Sequence, residues 1–132
     1  MIEVNNLTRS RVNESALVKV AERVLKAEKI KEKNLSIALV GSKMSRELNK
    51  KYRNKDKEAN VLSFEGFGID LGEIVLCPSE IKKDAKKYGM IFEKALAWMV
   101  IHGILHILGY THESKKEADH MEEKEELYLA NL

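Results

Sequence analysis

The stretch Phe92–His112, FEKALAWMVIHGILHILGYTH, decides the fold because it contains the longest apolar run of the chain, Ala95–Gly109. A helix that is apolar on nearly all sides is buried in a protein core. The run is shorter than the roughly 20 residues that span a bilayer, so no membrane span is expected. We predict a buried central helix over Phe92–Leu108, which Gly109 ends in the left-handed conformation.

Three of the four histidines of the chain follow the pattern HxxxHxxGxxH in this stretch. His102 and His106 are four residues apart, so their side chains project from one helix face, about 6 Å apart along the axis. His112 follows Gly109, where the chain can bend back toward them. Three neutral imidazoles that leave a fourth position for water are typical of catalytic zinc, although Ni²⁺ or another divalent ion also accepts imidazole. The pattern therefore predicts one shared ion.

The same spacing occurs in the metzincin proteases, HExxHxxGxxH, whose glutamate polarises the attacking water. Gly103 occupies the position of that glutamate. Because glycine cannot accept a proton, a peptidase that works by this route is disfavoured, although a glutamate elsewhere could replace it. A phosphodiester is the other candidate substrate, since zinc can generate hydroxide near neutral pH while a cation stabilises the phosphoryl oxygens. That hypothesis predicts an arginine near the metal.

Positive charge is concentrated between Ser42 and Glu58, although the whole chain carries a net charge of only +2. The segment has seven basic and three acidic residues: Lys43, Arg46, Lys50, Lys51, Arg53, Lys55 and Lys57 against Glu47, Asp56 and Glu58. Met44, Leu48 and Tyr52 recur at helical spacing and predict its inward stripe. The basic faces suit a phosphate backbone, with an ordinary solvated helix surface as the alternative.

The rest of the sequence divides into short strands and amphipathic helices. Strands are predicted at Ile2–Val4 and Leu35–Val40, and as a hairpin of Val61–Phe64 and Leu71–Leu76 joined by the turn EGFGID. Further helices are expected to begin at Asn13, Ser42, Pro78 and Ser114, with Gly89 ending the third and Leu129 the last. This order predicts an α+β fold of one domain, residues 1–132, with helices on a small mixed sheet and the metal site at the end of the central helix.

The single cysteine and the N-terminal sequence bear on the compartment. Cys77 has no partner for an internal disulfide and is expected to be a small buried hydrophobe. The N-terminal residues MIEVNNLTRSR have no apolar core of signal-peptide length. We therefore expect a cytoplasmic protein.

Three segments together resemble the YbeY family of bacterial rRNA maturation endoribonucleases. They are LNKKYRNKDKEANVLSF at Leu48–Phe64, LGEIVL at Leu71–Leu76 and HGILHILGYTH at His102–His112, followed by an acidic helix. The resemblance implies an α+β fold and a zinc-type site at the positions of His102, His106 and His112. It also implies a functionally important arginine at Arg53, cleavage of single-stranded RNA, and a part in small-subunit ribosomal RNA maturation and ribosome quality control.

Two positions depart from the pattern of that family. The family usually has Thr-Asp before VLSF, where this chain has Ala59-Asn60, and usually Asp before the last histidine, where this chain has Thr111. Asn60 keeps hydrogen-bonding capacity but cannot be a general base. Thr111 removes a carboxylate that could orient a ligand imidazole. These changes bear on the tuning of the site more than on metal binding.

The leading hypothesis is a metal-dependent endoribonuclease in which Arg53 and His106 are catalytic and Arg53 stabilises charge on the phosphate. The alternatives are a metal-dependent peptidase or amide hydrolase, and a non-catalytic RNA-binding assembly factor whose metal orders the helix and its return loop. Glu113 is a speculative proton acceptor, with a surface role favoured, and His120 is expected on the surface.

Three aromatic residues are possible stacking platforms for bases. We expect Trp98 and Tyr52 to pack in the core, because both lie on apolar helical stripes. Tyr110, beside His112 in the return loop, is the better candidate to line the cleft.

Overall fold

The computed structural model describes residues 1–132 and has nine secondary-structure elements. The strands are β1 (Ile2–Asn6), β2 (Asn34–Leu39), β3 (Val61–Glu65) and β4 (Asp70–Leu76). The helices are α1 (Glu14–Ala27), α2 (Ser42–Arg53), α3 (Pro78–Lys87), α4 (Phe92–Ile107) and α5 (Lys115–Ala130). Five helices on a mixed sheet confirm the predicted α+β fold, and β3 and β4 form the predicted hairpin.

The sheet has the order β1-β2-β4-β3, with β1, β2 and β4 parallel and β3 antiparallel at one edge. Alternate side chains of a strand face opposite sides of a sheet. Leu35, Ile37 and Leu39 of β2 accordingly belong to the main core with α1, α3, α4 and α5. Val40 and Val75 belong to a smaller cluster with Leu48 of α2 on the other side. Strand β3 lies at the edge of the sheet, next to β4, and also contacts α4.

Helix α4 is the central helix of the main core, as its apolar sequence predicts. Val100, Ile101, Ile104 and Leu105 are fully buried, and burying an aliphatic side chain of this size contributes about 1.5–3 kcal/mol. No single helix has the length and apolarity needed to cross a membrane. Helices α3 and α4 have that length and apolarity only when they are taken together. Their axes are bent by 112° at the break between them.

Gly103 lies where α4 passes closest to the sheet. A Cβ atom at this position would lie 3.0 to 3.2 Å from three side-chain carbons of Ile74 in β4. Contacts this short require a shift in a packed interior. The glycine at the position of the metzincin glutamate therefore faces the sheet in a space that has no room for a carboxylate.

Most of the predicted helix boundaries are confirmed. Asn13 and Ser114 cap α1 and α5 through side-chain oxygens that accept backbone N–H groups, and Pro78 opens α3. Gly89 and Gly109 follow α3 and α4 with positive φ angles, as a C′ glycine does. Cys77 is buried, as predicted for a small hydrophobe.

Helix α2 begins at Ser42, as predicted, but the side chain of Ser42 does not cap it. Gly41 is the N-cap of α2 and provides no side-chain cap. The hydroxyl group of Ser42 instead shares a hydrogen bond with that of Ser79 at 2.8 Å. Because Ser42 finds its partner on α3, a contact distant in sequence replaces the expected local cap.

The predicted inward stripe of α2 is confirmed at Leu48, which packs against the smaller cluster, but is wrong at its other two residues. Met44 and Tyr52 are 43% and 52% exposed, whereas Ser45 and Asn49 are buried. Ser45 Oγ donates to the carbonyl of Ala59 at 2.7 Å, and Asn49 Nδ2 donates to the carbonyl of Lys57 at 2.9 Å. The loop after α2 covers this side of the helix with backbone carbonyl groups. Polar side chains are favoured there because they donate hydrogen bonds to these carbonyls, which apolar side chains cannot do.

Candidate metal centre

The three histidines predicted to share an ion converge at the end of α4. The ring centroids of His102 and His106 are 4.5 Å apart, and that of His112 lies 5.6 Å and 5.0 Å from them. One ligand nitrogen from each ring lies within 4.8 Å of the other two. The donor set of three imidazoles fits a divalent transition metal such as zinc or nickel.

The return of the chain after α4 places His112 beside the two helical histidines. Gly109 has a φ of 101°, and its N–H donates to the carbonyl of His106 at 3.1 Å. The N–H of Tyr110 donates to the carbonyl of Leu105 at 3.0 Å. These two bonds form a Schellman motif, which reverses the chain and satisfies carbonyl groups at the helix end.

A buried carboxylate orients His102. Glu125 of α5 is 7% exposed, and its Oε1 lies 2.5 Å from Nδ1 of His102. A carboxylate accepts only from an N–H, so the proton of the neutral ring lies on Nδ1 and Nε2 remains free to bind metal. Sequence reasoning missed Glu125. The available signal was its spacing from the buried residues Met121 and Tyr128, which places it on the inward face of α5.

The protonation of His106 also suits metal binding. Burial lowers the pKa of His106 below its ordinary value, and the charges of His102 and His112 lower it further. Glu125 and a backbone hydrogen bond with Tyr110 oppose this shift without cancelling it. Metal binding requires neutral imidazole, so protons compete less for His106 than for an exposed histidine.

The return loop is held by Glu28, the residue that follows α1, and by side chains of α5. The hydroxyl of Tyr110 donates to Glu28 Oε1 at 2.7 Å, and Tyr128 donates to the other oxygen of the same carboxylate. Lys124 Nζ lies 3.4 Å from Glu28 Oε2. Burial and the Glu28 carboxylate raise the pKa of Tyr110 to about 12. The loop therefore has a fixed polar anchor next to His112.

Thr111 gives the loop a second anchor. Its hydroxyl donates to the carboxylate of Glu117 in the first turn of α5. Thr111 therefore connects the loop to α5 through a hydrogen bond and does not supply a carboxylate that could orient an imidazole.

Arg53 lies beside the histidines at the C-terminal end of α2. Its Nη2 donates to the carbonyl of Ser63 at 2.6 Å, and its guanidinium carbon is 5.3 Å from the ring centroid of Phe64. Arg53 and His106 line one pocket of about 380 Å³. Glu65, at the end of β3, lines the same pocket and was not singled out from the sequence. Guanidinium, imidazole and carboxylate groups thus surround one open space.

Four residues that the sequence raised as possible site or core residues belong neither to the histidine triad nor to the pocket of Arg53. His120 is exposed, as predicted, and stacks on Tyr110 with centroids 5.4 Å apart. Tyr110 turns its hydroxyl toward Glu28 instead of lining the histidine cleft. Glu113 is exposed. Tyr52 is half exposed, against its predicted core position, because its ring packs edge-on against Phe64 at the protein surface.

A comparison with known families identifies the type of protein. The family model described as Endoribonuclease YbeY matches residues 3–132, nearly the whole chain. The chain belongs to this family. The resemblance seen in the sequence motifs is thereby confirmed.

Individual relatives carry the same description. Endoribonuclease YbeY of Thermotoga neapolitana is 40% identical over 100 residues, which cover 75% of this chain and 67% of the relative. Endoribonuclease YbeY of Bartonella quintana is 36% identical over 135 residues, covering 91% of this chain and 85% of the relative. The solution structure of TM1509 from Thermotoga maritima aligns with a TM-score of 0.67 and 32% identity, over 98% of this chain and 87% of that one.

Proposed function

We propose that this protein is a metal-dependent endoribonuclease that cleaves single-stranded RNA. The observation that carries the proposal is the convergence of His102, His106 and His112 beside Arg53 in a chain of the YbeY family. The names of the relatives support cleavage inside an RNA strand. We further propose zinc as the ion, with nickel as a possible substitute, and small-subunit ribosomal RNA in the ribosome of the cytoplasm as the natural target.

The three histidines would hold the ion through nitrogens that face one another. His102 offers Nε2 because Glu125 accepts the Nδ1 proton, and burial favours the neutral form of His106. A bound divalent ion supplies Lewis-acid chemistry, which activates water or polarises a phosphoryl oxygen. Histidines that are neutral and oriented before the ion arrives bind it with less reorganisation.

Arg53 would bind the scissile phosphate and stabilise the charge that develops on it. Only one of its hydrogen bonds is made within the protein, to the Ser63 carbonyl, so most of its five N–H donors remain for a ligand. A guanidinium fork matches two phosphate oxygens at once. The hydrogen bond to Ser63 and the Phe64 ring hold the group at the wall of the pocket that His106 also lines.

The experiment compares cleavage of a labelled single-stranded RNA by the wild type with that by His106→Ala and Arg53→Ala, each with and without a chelator. His120→Ala and Arg23→Ala are matched controls, since His120 is outside the triad and Arg23 is an exposed residue of α1, not of the basic α2 surface. We expect loss of metal and activity in the first variant, loss of activity with metal retained in the second, and normal cleavage in both controls. Cleavage that survives His106→Ala and Arg53→Ala would contradict the proposal.

Glu65 supports a second candidate, a metal-dependent peptidase or amide hydrolase. It brings a carboxylate into the pocket of His106, which could replace the base that Gly103 lacks. This hypothesis predicts chelator-sensitive cleavage of unstructured peptides that Glu65→Gln abolishes and that RNA does not inhibit. A non-catalytic assembly factor would instead lose thermal stability and RNA affinity on chelation and show no turnover with zinc, nickel or manganese.

A further inference from the structure

A small cavity between α3 and the first half of α4 has no part in the chemistry proposed above. Its volume is about 140 Å³, and seven of its nine lining residues are apolar. A cavity of roughly 150 Å³ in another protein binds benzene, so this space suits one six-membered ring. The residues that matter are Tyr88, Met90, Trp98 and Met99 on its walls, with Asn60 and Asp84 as its two polar members.

Two elements connect this cavity with the candidate metal centre. Trp98 precedes His102 by one helical turn, about 6 Å along the axis of α4. Asn60 precedes Ser63, which accepts the hydrogen bond of Arg53, by three residues, or roughly 10 Å along extended chain. An RNA strand with one phosphate at Arg53 would therefore bring a neighbouring nucleotide to the cavity.

The polar end of the cavity offers hydrogen-bond acceptors. Asn60 Nδ2 donates to Asp84 Oδ2 at 2.7 Å, which fixes the carboxylate. Asp84 makes no ion pair, and its Oδ1 and the Oδ1 of Asn60 accept no hydrogen bond within the protein. Carboxylates accept from the N4 amino group of cytosine, whereas the corresponding group of uracil is an acceptor. The polar end thus favours a ring that donates.

The surroundings of the opening suit a nucleotide better than a purely apolar ligand. Tyr88 is 62% exposed and packs edge-on against Trp98, with centroids 6.4 Å apart. Lys86 and Lys87 lie in the last turn of α3, and Lys87 Nζ is 5.5 Å from the centre of the Tyr88 ring. Aromatic rings beside positive charge are the combination that binds single-stranded nucleic acid.

From ring size, acceptor groups and neighbouring charge together, we propose that this cavity binds a pyrimidine base of the substrate RNA, preferring cytosine to uracil, beside the scissile phosphate. The inference rests on the proposed RNA substrate. It assigns Asn60, at the position where the sequence departs from its family, to a base-recognition site with Asp84.

Trp98 allows occupancy to be measured without turnover, because it is the only tryptophan of the chain. Its single indole N–H resonance would be followed by NMR in the His106→Ala protein during titration with cytidine, uridine and adenosine monophosphates. We expect the cytidine nucleotide to shift the resonance and bind about five- to tenfold more tightly than the uridine nucleotide, the effect of one typical net hydrogen bond. Equal binding of all three, or no shift with any, would overturn the proposal.

Variants separate recognition from packing. Asp84→Asn should remove the difference between cytidine and uridine, because the amide oxygen would accept from Asn60 Nδ2 and leave an NH2 group, which cannot accept, for the ring. Tyr88→Ala, at an exposed side chain, should weaken the binding of both nucleotides. Glu80→Gln is the matched control on α3, since its carboxylate pairs with Lys83 and does not line the cavity. A preference for cytidine that persists in Asp84→Asn would overturn the assignment of that carboxylate.

Cleavage of RNAs that differ by one cytosine-to-uracil change distinguishes the two proposals. We expect one position next to the cut to change the rate by about five- to tenfold in the wild type and not in Asp84→Asn. Nucleotide binding without cleavage would reject the endoribonuclease while retaining the base site. Cleavage that is insensitive to sequence at every position would reject the base site while retaining the endoribonuclease.

Discussion

The histidine end of α4 and the basic surface of α2 are built in opposite ways. Around the histidines, hydrogen bonds hold the side chains in place. Glu125 of α5 contacts His102, and Glu28, which follows α1, accepts from Tyr110. Along α2, the basic side chains are exposed, and only Arg46 forms an ion pair there. A metal site requires fixed geometry, whereas phosphate contacts tolerate mobile side chains. Substitutions should therefore have large effects in the first region and small, additive effects in the second, except at Arg53, which shares a pocket with His106.

The largest effect is expected where α4 meets the sheet. Gly103→Glu should prevent folding, because the carboxylate would be forced against Ile74 with no partner. Gly103→Ala should lower the free energy of unfolding by about 1–3 kcal/mol, the usual cost of overpacking. Urea unfolding measures both.

Gly41→Ala is the control for overpacking, since a Cβ there meets nothing within 4 Å and only the smaller preference for glycine at an N-cap is lost. Combining Gly103→Ala with Ile74→Val should recover part of the loss, because these two residues are in contact. Strictly additive effects would contradict the proposed close approach.

The second largest effect is expected when the carboxylate that contacts His102 is removed. Glu125→Ala should weaken metal binding by about 10- to 100-fold, since the Nδ1 proton loses its acceptor. Glu125→Gln should weaken it less, because an amide oxygen still accepts. Competition with a coloured chelator measures the affinities, and unchanged binding in Glu125→Ala would show that His102 needs no orienting group.

Glu28 should make the stability of the return loop depend on pH. Burial opposes its charge, but hydrogen bonds from Tyr110 and Tyr128 and the charge of Lys124 prevail, so the pKa of Glu28 lies below its ordinary value of 4.5. A carboxyl group with a lowered pKa stabilises the folded state above the unfolded pKa, and this contribution is lost as pH falls through the folded pKa.

Glu28→Gln should therefore lower the free energy of unfolding near neutral pH by about 1.5–3 kcal/mol, the range for hydrogen bonds to a charged group. The difference from wild type should shrink below pH 4.5. Glu14→Gln, at an exposed residue of α1, is the control. A difference that stays constant down to pH 2 would exclude the charge of Glu28 as its cause.

The smallest effects are expected when the lysines of α2 and of the loop after it are replaced. Replacing Lys51 and Lys55 by glutamine should weaken RNA binding modestly and reduce the slope of log affinity against log salt by about 0.7 for each lost contact. Metal affinity should not change. Lys19 and Lys26 of α1, replaced in the same way, are the charge-matched control, and an equal loss in both pairs would mean that overall charge, and not the α2 surface, attracts RNA.

Sequence spacing predicted the elements whose causes are local. The apolar run, the C′ glycine and the histidine pattern together predicted the central helix and the convergence of its ligands. The α2 stripe was wrong at Met44 and Tyr52, because helical periodicity does not reveal that a loop will cover the helix with carbonyl groups. Tyr52 and Tyr110 failed for a similar reason, since a single partner distant in sequence decides where each ring lies.

The sequence by itself determined that three imidazoles would be carried by one buried helix and the turn that follows it, because covalent spacing and a glycine fix that arrangement. Only the tertiary structure decided that Glu125 would orient His102, that Ile74 would leave room for no side chain at Gly103, and that Arg53 would share a pocket with His106. Those contacts join residues 23 to 53 positions apart in the chain. They depend on how the elements pack, which no local pattern of residues specifies.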